Sequence, residues 1–281
     1  MRIMEISSAI FRWYAGVLTV LLLVPIPERL KGLVIDGKQI VHAELITAAG
    51  DFTKPFLVGL KFTMEQGWYL YWKNPGDAGL PVAVSWTLPD GYTAGPLQFP
   101  TPSKFVYDDL IAYGYKKELV LFAEIRPGGK PAASVPALKA KLDWLVCRES
   151  CVRGGAEVNL SPSAGLGTPL AETRQLLEKW SDLLPLPLAS GGLRITKPTV
   201  TGRPGKRAVS FTIQGDRAGE VTDFYPHGLD NAAIDYKSVR VKQGRVSFEL
   251  APYTEGEAIP SISGVLVAGG KAYECTVTLS Q

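Results

Sequence analysis

LKAKLDWLVCRESC, residues 138–151, is the stretch on which the reading of the fold turns. Leu138, Ala140, Leu142, Trp144 and Val146 alternate with Lys139, Lys141, Asp143 and Leu145. That period of two describes a β-strand with one face in a core. Counting on by twos puts Cys147 on the mostly polar face, where access to solvent or to a partner is expected. Four residues of extended chain span ~13 Å, whereas a disulfide needs Cα atoms within ~7 Å, so Arg148, Glu149 and Ser150 must turn if the sulfurs of Cys147 and Cys151 are to meet. Such a turn makes a small ring, and strained or exposed disulfides are the labile and catalytic ones. The flanking charges do not decide reactivity, because Arg148 favours a thiolate and Glu149 opposes it. Two other readings stay open at this point. One is a structural disulfide bracing a loop, although so short a loop removes little chain entropy. The other is a metal pair, which needs further ligands, and His42 and His227 are both remote in sequence.

Working outward, the same alternation recurs. Phe56, Val58, Leu60 and Phe62 share one face, as do Val82, Val84 and Trp86. Turn signals at Asn74-Pro-Gly-Asp77, Pro89-Asp-Gly91 and Pro127-Gly-Gly129 punctuate the runs, a pattern of short strands that argues for a β-sandwich. One segment departs from it. In TPLAETRQLLEKWSDLLP, Thr168 is placed as an N-cap with Pro169 at the first helical position, and Leu170, Leu177, Trp180 and Leu184 recur at helical spacing until Pro185 and Pro187. Alternation resumes with Val209, Phe211 and Ile213, then Val246, Phe248 and Leu250, then Tyr273, Cys275, Val277 and Leu279. The expected organisation is a mainly β chain with two β-sandwich domains, 31–162 and 188–281, joined by a short helical linker, 163–187.

The 281 residues carry 30 Lys and Arg against 27 Asp and Glu, scattered rather than gathered into a stripe, so nucleic acid is not an expected partner. Hydrophobic residues at 46% exclude wholesale disorder. At the N-terminus, Arg2 and Arg12 precede an apolar run over 13–26, shorter than the ~20 residues of a spanning helix. Residues 1–30 read as an export signal or an uncleaved anchor, against the alternative of a buried helix. Cys275 reads as a core cysteine, and Trp68, Tyr71 and Trp72 as core aromatics. Asn74-Pro-Gly-Asp77 reads as a turn, and no positioned nucleophile accompanies His227.

GWYLYWKNPGDAGLP (67–81), YGY (113–115) and DWLVCRESC (143–151) together resemble the N-terminal periplasmic region of the DsbD family of thiol:disulfide interchange proteins. The likeness is closest to its ScsB-type branch, which is associated with copper tolerance, and extends to DFYPHG (223–228). The resemblance implies immunoglobulin-like domains and a redox pair, Cys147 and Cys151, that reduces disulfides of periplasmic proteins. Cys151 would attack the target and Cys147 would resolve the mixed disulfide, with no cofactor. The alternatives are a non-enzymatic β-sandwich adaptor whose disulfide is structural and a copper-handling protein, the latter disfavoured by the lack of further ligands near the pair. The resemblance also implies a cap loop in DDLIAYGY (108–115), with Asp108, Asp109 and Tyr113 as cap or partner contacts and Tyr113 as the lid. The multi-span membrane domain of full-length members, and their thioredoxin-like domain with its own C-x-x-C, are not in this sequence, so electrons are expected from a membrane electron-transfer protein or a thioredoxin-like donor. The three-residue spacer is shorter than in the better-known branch.

Overall fold

A computed structural model of the chain describes residues 32–107, 109–128, 136–160, 170–203 and 205–279. The N-terminal segment 1–30, Thr168, Pro169 and Asp108 lie outside the described residues. Residues 32–160 supply β1 (Gly32–Ile35), β2 (Lys38–Ile46), β3 (Phe56–Met64), β4 (Tyr69–Gly76), β5 (Ala83–Thr87), β6 (Tyr92–Ala94), β7 (Ser103–Tyr107), β8 (Leu110–Lys116), β9 (Glu118–Pro127), β10 (Leu138–Cys147) and β11 (Cys151–Leu160). One sheet runs β1-β2-β3-β9-β6 and the other β11-β10-β4-β8-β7, with β5 also paired to β10.

The alternating residues of β3 and β10 face each other as their pattern requires. Phe62 meets the edge of Trp144 at 5.5 Å between ring centroids, and Leu138, Ala140, Leu142 and Val146 are buried beside it. Trp144 fits because Gly154 stands opposite it on β11, where a Cβ would come within 2.6 Å of the indole nitrogen. The predicted helix is α1 (Leu170–Ser181). Its buried Trp180 donates from Nε1 to Glu118 Oε1 at 3.0 Å, fixing the helix to β9.

Residues 186–279 form a second pair of sheets from β12 (Leu186–Pro187), β13 (Arg194–Arg203), β14 (Lys206–Gln214), β15 (Val221–Pro226), β16 (Ala232–Lys242), β17 (Arg245–Pro252), β18 (Ser261–Ala268) and β19 (Lys271–Thr278). Their orders are β12-β19-β18-β15 and β13-β14-β17-β16. Phe224 of one sheet packs between Phe211 and Phe248 of the other, at 5.4 and 5.9 Å. Cys275 is free and buried here, and burial pushes its thiol up to about 12. Among the described residues the fold is thus mainly β, with four sheets. Among the described residues no helix is long and apolar enough to cross a membrane.

One segment corrects its sequence reading. Asn74-Pro75-Gly76 is not a turn but the end of β4, which shifts register against β8 between Tyr71 and Gly76. The irregularity frees the Asn74 side chain to pin the two halves together. Its Nδ2 donates to the Pro226 carbonyl at 2.6 Å, and its Oδ1 accepts from the Tyr236 hydroxyl at 3.1 Å. Around this buried pin, Trp72 packs on Tyr225 and His227, and Tyr113 on Tyr225 and Tyr236. Lys73 bridges to Glu274 at 2.8 Å on the rim.

Candidate redox site

β10 and β11 are two sides of one hairpin, and their register sets Cys147 directly opposite Cys151. The turn closes with Arg148 N–H donating to the Ser150 carbonyl at 3.1 Å. The next pair outward is therefore a non-hydrogen-bonded one, where antiparallel backbones approach most closely. The Cα atoms of Cys147 and Cys151 are 4.1 Å apart and their sulfurs are bonded. Arg148, Glu149 and Ser150 thus make the turn that the spacing demanded.

The two sulfurs differ in exposure. Cys151 is exposed, whereas Cys147 is 1% accessible. The accessibility expected of Cys147 is corrected here: it does leave the main core, as the alternation of β10 requires, but its face has a roof. Tyr69, Tyr71 and Ala112 are buried with it, and Phe105, Tyr107 and Leu145 pack on that group. The Tyr71 hydroxyl donates to Cys147 Sγ at 3.1 Å and lies 3.8 Å from Cys151 Sγ. Tyr69 stacks on Tyr107 with centroids 5.4 Å apart, touches Phe105 at 5.5 Å, and places its hydroxyl 3.3 Å from that of Tyr71. Burial, then the Tyr71 contact, pushes the Tyr69 phenol far above its ordinary range, so it stays neutral.

The expected cap residues fall in three places. Asp108 lies outside the described residues. Asp109 is at the exposed tip between β7 and β8, 3.2 Å from Lys237 Nζ. Tyr113 does not cover the sulfurs. Side chains alternate along β8, so Ala112 takes the cysteine face and Tyr113 is buried among Trp72, Tyr225 and Tyr236. Phe105 and Tyr107, from β7, pack on the cysteine cluster instead, against Tyr69. The signal for them was the period of two in SKFVY, residues 103–107, which puts both rings on one face. Among the described residues, no three His, Cys, Asp or Glu side chains gather into a metal-binding group.

A family model described as "Thiol:disulfide interchange protein DsbD, N-terminal" matches residues 41–162, a span that begins in β2 and ends beyond β11. Residues 41–162 are a DsbD N-terminal domain. The family makes this part of the chain a thiol:disulfide interchange module, and the bonded Cys147–Cys151 pair lies within it. The DsbD-type domain and the second half together share their fold with the N-terminal periplasmic domain of ScsB from Proteus mirabilis. The TM-score is 0.61 at 17% identity, covering 90% of this chain and 98% of that one. No curated protein matches the chain.

Proposed function

We propose that Cys147 and Cys151 are the redox centre of a periplasmic reductase built from two immunoglobulin-like sandwiches, 31–162 and 188–281. The observation that carries this reading is the asymmetry of the pair, one sulfur exposed and its partner held under tyrosines. In the reduced protein the Cys151 thiolate attacks one sulfur of a target disulfide, forming a mixed disulfide and releasing the first target thiolate. The Cys147 thiolate then attacks Cys151 Sγ, closes the internal bond and expels the second target thiolate, which takes up a proton. Two electrons pass from this protein to the target, and the pair is recharged by a membrane or thioredoxin-like donor. The turn places the attacking atom outward, while the tyrosine hydroxyl and the roof hold the resolving atom within bonding reach. No cofactor enters the exchange. Phe105 and Tyr107 serve as the cap, and Asp109, at the tip of the same hairpin, meets the partner.

Redox equilibration in graded glutathione buffers, read by alkylation and mass spectrometry, tests this. The expected result is reversible opening of Cys147–Cys151 within the range of exchange proteins, ~−120 to −270 mV, with Cys275 unchanged. In Cys147→Ser, a stable mixed disulfide forms through Cys151, and Cys151→Ser forms none. A bond that resists reduction below ~−300 mV would overturn the proposal.

A further inference from the structure

The register of four neighbouring strands sets Cys151, Cys147, Tyr69 and Lys116 in one row across β11, β10, β4 and β8. At the usual strand spacing the backbone of Lys116 is about 10 Å from that of Cys147. Its ammonium lies over the roof, 4.4 Å from the Phe105 ring centroid and 5.7 Å from that of Tyr107. Arg153 follows Cys151 by two residues, so it projects from the same face of β11 about 7 Å along the strand, opposite Leu145. Arg148, in the turn itself, lies 5.4 Å from the centroid of Trp68. All three cations are exposed. Among the described residues neither Lys116 nor Arg153 has a carboxylate within ion-pairing distance, and Arg148 reaches only Glu149, at 4.0 Å. Two of the three are laid on aromatic rings, which favours these positions around the cysteine cluster. The chain as a whole carries only +3, so this local excess is not a reflection of its composition.

Resting on the exchange reading above, we infer that this basic rim selects partners whose disulfide lies in an acidic face. Complementary charge of this kind acts on encounter: it raises the association rate of the matching partner and depresses that of a like-charged one. Asp143 and Glu149 are the opposing charges at the rim: Asp143 lies on the cysteine face of β10 two residues before Leu145, and Glu149 extends into solvent at the tip of the turn, with 89% of its side chain accessible. Asp109, at the tip of the neighbouring hairpin, is paired with Lys237 at 3.2 Å, which leaves the three cations in the majority.

The test uses the reduced full chain and three synthetic disulfide-bonded peptides of one sequence, flanked by glutamates, lysines or glutamines. The glutamate peptide is expected to be reduced about tenfold faster than the lysine peptide at low salt. The ratio should fall towards one in about 0.5 M salt, where screening is short-ranged, and fall likewise in Arg153→Gln and in Lys116→Gln. Equal rates for the two charged peptides, or a preference for lysine, would overturn the inference. So would a glutamate preference that neither salt nor the two substitutions diminish. Inertness toward all three peptides, the neutral one included, would overturn the exchange reading itself and this inference with it.

Discussion

The hydroxyl of Tyr71 donates to Cys147 Sγ at 3.1 Å, from the strand that also carries the buried pin Asn74. One strand therefore touches the Cys147 sulfur and, further along, the second half of the molecule. In the reduced protein the same hydroxyl is placed to stabilise a thiolate on Cys147, because a hydrogen bond to the charged form favours that form. Tyr71→Phe removes the donor and keeps the ring. We expect closure of the internal bond by Cys147 from the Cys151 mixed disulfide to slow by up to about tenfold in the variant, the effect of losing a charge-assisted hydrogen bond of about 1.5 kcal/mol. Acid-quenched alkylation of the mixed disulfide over time would measure it. An unchanged rate would confine Tyr71 to packing.

Unroofing should expose the buried sulfur. In Phe105→Ala and Tyr107→Ala, alkylation of Cys147 in the reduced protein is expected to speed up about fivefold for each variant. Packing of each ring against Tyr69 is worth about 1 kcal/mol, and 1.4 kcal/mol is a factor of ten. Residue-resolved alkylation kinetics would show it, with Cys151 as the internal reference because that sulfur is already exposed. Tyr113→Phe, remote from the sulfurs, should leave both rates alone.

Stability should depend on pH through His227. Burial, aided by Lys73 and opposed by Glu274, holds its imidazole down to about 4. Nε2 lies 3.4 Å from the Glu274 carboxylate, and the ring packs on Trp72. The unfolded chain takes up this proton near the ordinary histidine value of ~6.5 while the folded protein resists it, so the stabilisation present above that value is lost as pH falls towards 4. The loss over that window is up to about 3 kcal/mol. Urea midpoints between those pH values would be flatter in His227→Gln.

Removing the pin should loosen the junction. Asn74→Ala leaves the Pro226 carbonyl and the Tyr236 hydroxyl without their partner in a buried setting. The expected cost is about 2 kcal/mol, read as a lower denaturation midpoint, with the disulfide still formed. A denaturation curve identical to that of the unsubstituted protein would refute it.

What the sequence displayed and what it hid separate by the range of the forces involved. The core face of β10 was legible because alternation is local: Leu138, Ala140, Leu142, Trp144 and Val146 are all buried. The same counting placed Cys147 off that face correctly, yet it is buried with Tyr69, Tyr71 and Ala112, on which Phe105 and Tyr107 pack, all from strands distant in sequence that no local pattern of β10 reports. Tyr113 drew attention for its ring, but the pleat of β8 turns Ala112 to the sulfurs instead. Asn74-Pro75-Gly76 carried the composition of a turn, and it became an irregular strand end because Pro226 and Tyr236, from the other half of the chain, meet the asparagine there. The helix was visible because its spacing is local, although the surface that buries Trp180, with Glu118 and Tyr115, is distant in sequence.

The hairpin of β7 and β8 is held on both faces. One packs on the cysteine cluster through Phe105 and Tyr107, and the other rests on the second half through Tyr113 and through Lys104, 3.8 Å from Asp223. Residues from Ile111 to Tyr115 are buried, whereas Val106, Asp109 and Leu110 are exposed. Displacing surface side chains is a matter of nanoseconds to microseconds, far faster than disulfide exchange. Turnover then rises in proportion to partner concentration without a plateau set by uncovering the sulfurs, and the chemistry at sulfur keeps the clock.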